Sequence, residues 1–145
     1  MDAFTVFNGK WKLDAARSEK IGAFIKEMGA PWIAQKAADS ASPVLRVTVT
    51  ADGLELKNYG LIGSTKNFYA LGAPSTHTAM DGSKCPASLA AGPGAGVLTL
   101  KLSHARGDIE QVLSREGADL VFVIILSRGG VEVMRTRRVH TKQAD

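Results

Sequence analysis

The chain has 145 residues, 45% of them hydrophobic and 22% charged, with a formal net charge of +4. This length allows one domain over residues 1–145 with a core of its own, and the composition is that of an ordinary globular protein. No apolar run approaches the roughly 20 residues of a membrane-spanning helix, and the modest, scattered positive charge reads as solvated surface rather than as a nucleic-acid footprint.

Phe4 to Leu13 alternates loosely and predicts a first strand. The same N-terminal stretch, MDAFTVFNGKWK, has neither the basic nor the apolar region of a signal peptide. The single Cys85 cannot close an internal disulfide, and the two observations together predict a reducing, cytoplasmic setting. Residues 18–39 are the one part that reads as helix. Ile21, Phe24, Ile25 and Met28 fall at i, i+3, i+4 and i+7, on a helix that Ser18 can N-cap and Gly29 can end. Pro31 fits the first turn of a second helix carrying Trp32, Ile33 and Ala37.

After Pro43 the pattern is strand and turn. Leu45, Val47 and Val49 alternate with Arg46, Thr48 and Thr50, and Asp52-Gly53 marks a hairpin. Further strands are predicted over 54–58, 66–71, 76–80, 84–90, 97–103, 108–114, 120–126 and 131–139, with turns at Asp81-Gly82 and Gly129-Gly130. Pro86 inside a strand implies an edge, a bulge or a gap in the sheet nearby. The loop Ala91-Gly-Pro-Gly-Ala-Gly96 lacks the Lys-Ser/Thr of a phosphate-binding loop and opens no helix, so it reads as a connector. Short strands joined by hairpin-length turns suit an antiparallel up-and-down barrel or a sandwich. A barrel of this strand count is wide enough for a small ligand, and the helix pair would cap one end.

Several stretches, in the right order, resemble the intracellular lipid-binding protein family, which includes the fatty-acid-binding and cellular retinoid-binding proteins. Phe7-Asn-Gly-Lys-Trp-Lys-Leu13 is similar to the family's F-x-G-x-W-x-L opening strand, and Phe24–Ala34 stands where the family has its two-helix lid. Asn67-Phe-Tyr-Ala-Leu-Gly72 is similar to the end of the family's fourth strand, and Asp81-Gly-Ser-Lys84 to its acidic turn. Near the C-terminus Val133-Met-Arg-Thr-Arg137 stands where the family often carries R-x-Y, with Arg135 on the arginine and Arg137 in place of the tyrosine. The resemblance implies an all-β fold: a ten-stranded antiparallel up-and-down clam barrel capped by a helix-turn-helix lid at about residues 18–39.

It also implies a function. A non-covalent intracellular carrier of a long-chain fatty acid or similar anionic amphiphile is expected, with no cofactor and no enzyme activity. The resemblance puts Val133, Arg135, Arg137 and Val139 inside the barrel and Met134, Thr136, Arg138 and His140 outside. Arg135 and Arg137, with Gln111 on the eighth strand, would then hold the ligand's head group, because a buried guanidinium needs an anionic partner. Phe24, Ile25, Met28 and Trp32, with Ile62 at the portal, would meet the tail. Lys20, Lys26 and Lys36 of the lid, with Arg17 nearby, could touch an anionic membrane surface transiently.

Two alternatives remain open. Leu120–Leu126 is apolar on both faces, which would suit a protein-interaction module or weak dimerisation of an otherwise monomeric barrel. A haem or other small hydrophobic ligand would call on His77 or His104. No metal-ligand spacing joins His77, His104 and His140, Cys85 has no visible base, and no nucleophile, zinc or paired-carboxylate motif occurs.

Overall fold

Ten strands join in one antiparallel sheet in the order β4-β3-β2-β1-β10-β9-β8-β7-β6-β5 in the computed structural model, which describes residues 1–60 and 63–144. They are β1 (Gly9–Leu13), β2 (Val44–Val49), β3 (Gly53–Gly60), β4 (Gly63–Ala70), β5 (Pro74–Thr78), β6 (Lys84–Ala91), β7 (Leu98–His104), β8 (Gly107–Glu116), β9 (Asp119–Arg128) and β10 (Val131–Gln143). Helices α1 (Gly22–Glu27) and α2 (Trp32–Ser40) lie between β1 and β2. Each strand pairs with its sequence neighbour, β1 with β2 across the helical insertion included, except β4 and β5; with β10 beside β1 and those two edges facing each other, the sheet forms a nearly complete barrel.

Alternation builds the interior. Trp11, Leu45, Leu54, Leu89, Leu100 and Leu113 all turn inward from different strands and are buried. The closed end is a plug. Residues Asp2–Phe7 form a 3₁₀ turn, so the first half of the expected first strand is helical, and Phe7 packs into the core. Trp11 Nε1 donates to the Phe7 carbonyl at 2.9 Å, while Arg115 and Lys142 stack on the indole at 5.2 and 5.6 Å. The indole therefore keeps its one donor satisfied while it fills the barrel floor.

At the opposite end the lid is shorter than its periodicity predicts. Ser18 does not cap α1; its hydroxyl donates to the Val139 carbonyl and accepts from the Val139 N–H. The α1 N-terminus is instead tied to α2, where Asp39 Oδ1 accepts from Gly22 N–H at 2.6 Å. Gly29 takes the left-handed conformation, φ +92°, that ends α1, and its α-carbon faces the Arg106 guanidinium so closely that a Cβ would collide.

β4 and β5 are the two edges, and side chains bridge them. Asn67 Nδ2 donates to the Thr78 carbonyl at 2.9 Å and Asn67 Oδ1 accepts from Thr78 N–H at 2.8 Å, so a carboxamide replaces one rung of backbone ladder. Tyr69 and His77 share a second bond, 2.7 Å, across the same gap. Pro86 pairs with Thr76 on β5 and stands one residue before the β6–β7 ladder begins at Ala87, where a missing N–H costs no rung. The doubly apolar β9 is explained by its cover. Val121 is buried beside Val139, where the segment from Asp14 to Glu19 runs along β10 through the Asp14 N–H to Val139 carbonyl and Glu19 N–H to Arg137 carbonyl bonds. Val123 and Ile125 are half-buried and pair with Arg137 and Arg135.

Replacing Asn67 with Ala removes both bonds to Thr78 and leaves two backbone groups on a barrel edge without partners. Urea unfolding of Asn67→Ala is expected to show a loss of about 1 to 3 kcal/mol; an unchanged midpoint would show that the gap needs no such clasp.

Candidate functional site

A cavity of about 380 Å³ lies under the lid, inside the barrel. Leu13, Leu45, Leu56, Phe122 and Ile124 give it apolar walls, Ile21 and Ala38 reach it from the lid segment, and Asn58, Gln111, Arg138 and His140 are its polar residues. The strands bring these polar groups together by register: Gln111 pairs with Ile124, Ile124 with Thr136, and Phe122 with Arg138.

Arg138 is the charged member. It is 8% exposed, and its Nη1 donates to the Glu19 carbonyl at 2.6 Å. No carboxylate pairs with it among the described residues; Asp39 acts on it only from a distance. Burial lowers the guanidinium's pKa and the Asp39 charge partly opposes that shift. His140, also 8% exposed, stands two residues along on the same face, its ring 5.2 Å from Phe122. Burial, with the Arg138 charge second, pushes its pKa down to about 4, so the imidazole is neutral near pH 7.

The expected head-group pair is corrected. Arg135 and Arg137 lie on the outer wall, where Arg135 Nη2 bonds Glu132 at 2.7 Å and Arg137 forks onto both Glu116 oxygens at 2.8 and 2.9 Å. Each acidic partner's pKa is held below its usual value by that arginine. The ladder shifts between Glu132 and Met134, and beyond that irregularity Met134, Thr136, Arg138 and His140 face inward, the reverse of the expected set. Val139, expected inside, is buried on the outer face by the Asp14–Glu19 segment. The inward pair with the same spacing is Arg138-Val139-His140, three residues beyond the R-x-Y match that the resemblance implies, with histidine where that pattern has tyrosine.

Among the tail residues, Phe24 and Met28 pack against the core and Ile25 is half-buried. Trp32 does not join them: it is 68% exposed, with Lys36 Nζ 5.5 Å from its ring. Ile62 lies outside the described residues. Gln111 does line the cavity, whereas Asn58 and Ile21 carry no motif that would single them out. Of the haem candidates, His77 is engaged by Tyr69, and His104 Nδ1 accepts from Arg106 N–H. Cys85, paired with His77, has its thiol pushed up by burial, opposite to an activated nucleophile.

The buried imidazole makes stability depend on pH. Its folded pKa of about 4 lies below the ordinary 6.5, so as pH falls through 6.5 the unfolded chain takes a proton that the folded ring refuses. Stability is therefore lost between pH 6.5 and about 4, by roughly 3 kcal/mol in all. Urea unfolding at pH 7 and 4.5 is expected to show an acid loss in the wild type that is smaller by about that amount in His140→Gln; equal losses would contradict a neutral buried His140.

No family model matches the chain. A fatty acid-binding protein of Tyrophagus putrescentiae is 30% identical over 82 residues, covering 57% of this chain and 61% of that protein. A fatty acid-binding protein of Acarus siro is 31% identical over 64 residues, 44% of this chain and 97% of the relative. Among solved structures, Schistosoma mansoni fatty acid binding protein in complex with arachidonic acid superposes with a TM-score of 0.83 at 15% identity, covering 98% of this chain and 99% of that one. Apo Caenorhabditis elegans lipid binding protein 8 gives 0.81 at 19%, covering 96% of each. The structural matches establish the clam-barrel fold, and with the Acarus relative matched along nearly its whole length, the chain belongs to the fatty-acid-binding protein family.

Proposed function

We propose that this protein is a cytoplasmic, non-enzymatic carrier that holds a long-chain fatty acid or similar anionic amphiphile in the barrel. The observation that carries this reading is Arg138: a guanidinium buried on the cavity wall whose hydrogen-bond partner, among the described residues, is a neutral carbonyl. An isolated buried cation is costly, and a carboxylate accepting from its remaining N–H groups would relieve that cost. Gln111 and His140 complete the polar end. The tail lies on Leu45, Leu56, Phe122 and Ile124, beneath Ile21, Phe24, Ile25 and Met28. A volume of about 380 Å³ falls within the range of small-molecule pockets. The names of the two relatives and the arachidonic acid complex of the structural neighbour support the same ligand class.

The exchanged arginines give the test. In a displacement titration with a fluorescent fatty acid, Arg138→Gln is expected to weaken binding by about 10- to 100-fold, the loss of charge-assisted hydrogen bonds. Arg135→Ala and Arg137→Ala are expected to stay within roughly twofold of the wild type, since exposed ion pairs contribute little. The opposite ranking would return the head group to the outer pair.

A membrane contact belongs to the same proposal. Trp32 and Ile33, 68% and 73% exposed, stand at the start of α2 beside Lys36 and form an apolar tip with a cationic neighbour. Of the two tryptophans, Trp11 is wholly buried, so emission changes report Trp32. Anionic vesicles are expected to shift that emission to the blue and neutral vesicles to leave it unchanged; equal responses would remove charge from the contact.

A further inference from the structure

His140 Nδ1 is, among the described residues, the buried side-chain polar atom without a hydrogen-bond partner. Its ring is nine-tenths buried, lines the ligand cavity, and stands on the same face of β10 as the buried Arg138. A phenol in that position would remain neutral throughout the ordinary pH range, whereas an imidazole is the side chain whose charge is most easily switched within it. We propose that His140 takes up a proton from solvent when Arg138 captures an anionic head group, making ligand binding proton-coupled. This rests on the head-group reading above and adds the regulation of that same site.

The electrostatics follow from what faces the ring. On β10 the neighbouring cations are Arg138 and, toward the floor, Lys142, which with Arg115 of β8 stacks on Trp11. β1 and β9 present Leu13 and Leu120 as its pairing partners, and Phe122 beside it. Gln111 of β8 and Asn58 of β3 are uncharged, and from the lid segment the cavity receives Ile21 and Ala38. Two lid carboxylates lie in the region and both have other partners. Asp39 accepts from Gly22 N–H and acts on Arg138, and Glu19 turns its carboxylate to the Arg137 N–H. Burial and, second to it, the Arg138 charge oppose protonation of the ring and outweigh the hydrogen bond with the Leu120 backbone, which favours it. A bound anion cancels the Arg138 field at the ring and adds an attractive charge of its own. The imidazolium then becomes the favoured form, and by linkage the ligand binds more tightly wherever the complex holds more protons than the free protein.

An alkanesulfonate is the suitable probe, because its head group remains anionic across the range and any proton taken up belongs to the protein. Titration calorimetry with decanesulfonate at pH 5.5, in buffers of different ionisation enthalpy, is expected to show uptake of more than about half a proton per site if the anion raises the midpoint by about two pH units. Affinity should then climb roughly tenfold between pH 7.5 and 5. In His140→Gln both the uptake and the climb should vanish. The wild-type protein carries an independent readout, since its three histidines give three Cε1–Hε1 signals. The signal missing in His140→Gln, or left after His77→Gln and His104→Gln identify theirs should that variant not fold, should titrate near pH 4 in the free protein and well above it in the complex. Tight sulfonate binding with an unmoved His140 midpoint would overturn the coupling and leave the head-group reading standing. No sulfonate or fatty-acid binding at any pH would overturn both.

Discussion

A strand in a closed barrel shows successive side chains to the cavity and to solvent, so a change of one residue in its register exchanges the two sets completely. In β10 that register is held by Phe122 against Arg138 and Leu120 against His140, after an irregularity between Glu132 and Met134. Each arginine of the run Arg135-Thr-Arg-Arg138 meets a different environment as a result. The two that face out find Glu132 and Glu116, and the one that faces in finds a carbonyl. The sorting also protects the outer wall. Val123 and Ile125 pair with Arg137 and Arg135, whose long stems flank apolar residues that would otherwise invite another sheet, while their charged heads stay in water.

The same strand ties the cavity to its lid. The segment between β1 and α1 runs beside β10, with the Glu19 N–H on the Arg137 carbonyl, the Glu19 carboxylate on the Arg137 N–H, and the Glu19 carbonyl on Arg138. The buried guanidinium of Arg138 is therefore bonded to the root of the lid. Further along, Asp39 joins the two helices through Gly22, and Arg128 holds Glu27 of α1 to the β9–β10 turn at 2.9 Å. These are polar attachments, joined by the partly buried Phe24 and Met28, in contrast to the wholly buried apolar floor around Trp11 and Phe7. Local opening starts where buried apolar contact is least, so the lid end over the cavity is expected to open before the floor under it.

Much of the fold was legible in the sequence because hairpin turns and two-residue periodicity are local signals. Asp52-Gly53, Asp81-Gly82 and Gly129-Gly130 punctuate the meander as read, and each strand from β2 to β10 lies within a few residues of its expected place. The errors fell where local signals compete. Phe4 to Phe7 looked like the start of a strand and belongs to the 3₁₀ plug Asp2–Phe7; Ser18 looked like a helix cap and instead bonds Val139. For β10 the misleading signal was the resemblance of Arg135-Thr-Arg137 to R-x-Y, which put Val133 and Val139, of the same parity, inside as well. Val133 is exposed and Val139 is buried from outside by a segment whose Ser18 lies 121 residues away in sequence, and no periodicity in β10 alone can reveal that. Trp32 failed for a related reason: an aromatic on a short amphipathic helix is usually core, and this one projects from the tip beside Lys36.

Arg138 and His140 together describe a site that the unliganded barrel leaves electrostatically incomplete. A buried guanidinium could be neutralised permanently by a neighbouring carboxylate, as the exposed Arg17 is at the surface by Asp14 and Asp119. Inside the cavity the arrangement differs. The direct partner of Arg138 is a carbonyl, the neighbour along its face is an imidazole held neutral by burial, and the carboxylate that acts on it, Asp39, is already engaged by a backbone N–H. A permanent ion pair would have stabilised the empty barrel at the expense of any anionic ligand, which would then have to displace it. In the head-group reading we propose, an anionic ligand would draw on an interaction that the barrel does not already make, and its affinity would come from the mismatch between a positive interior and its apolar surroundings.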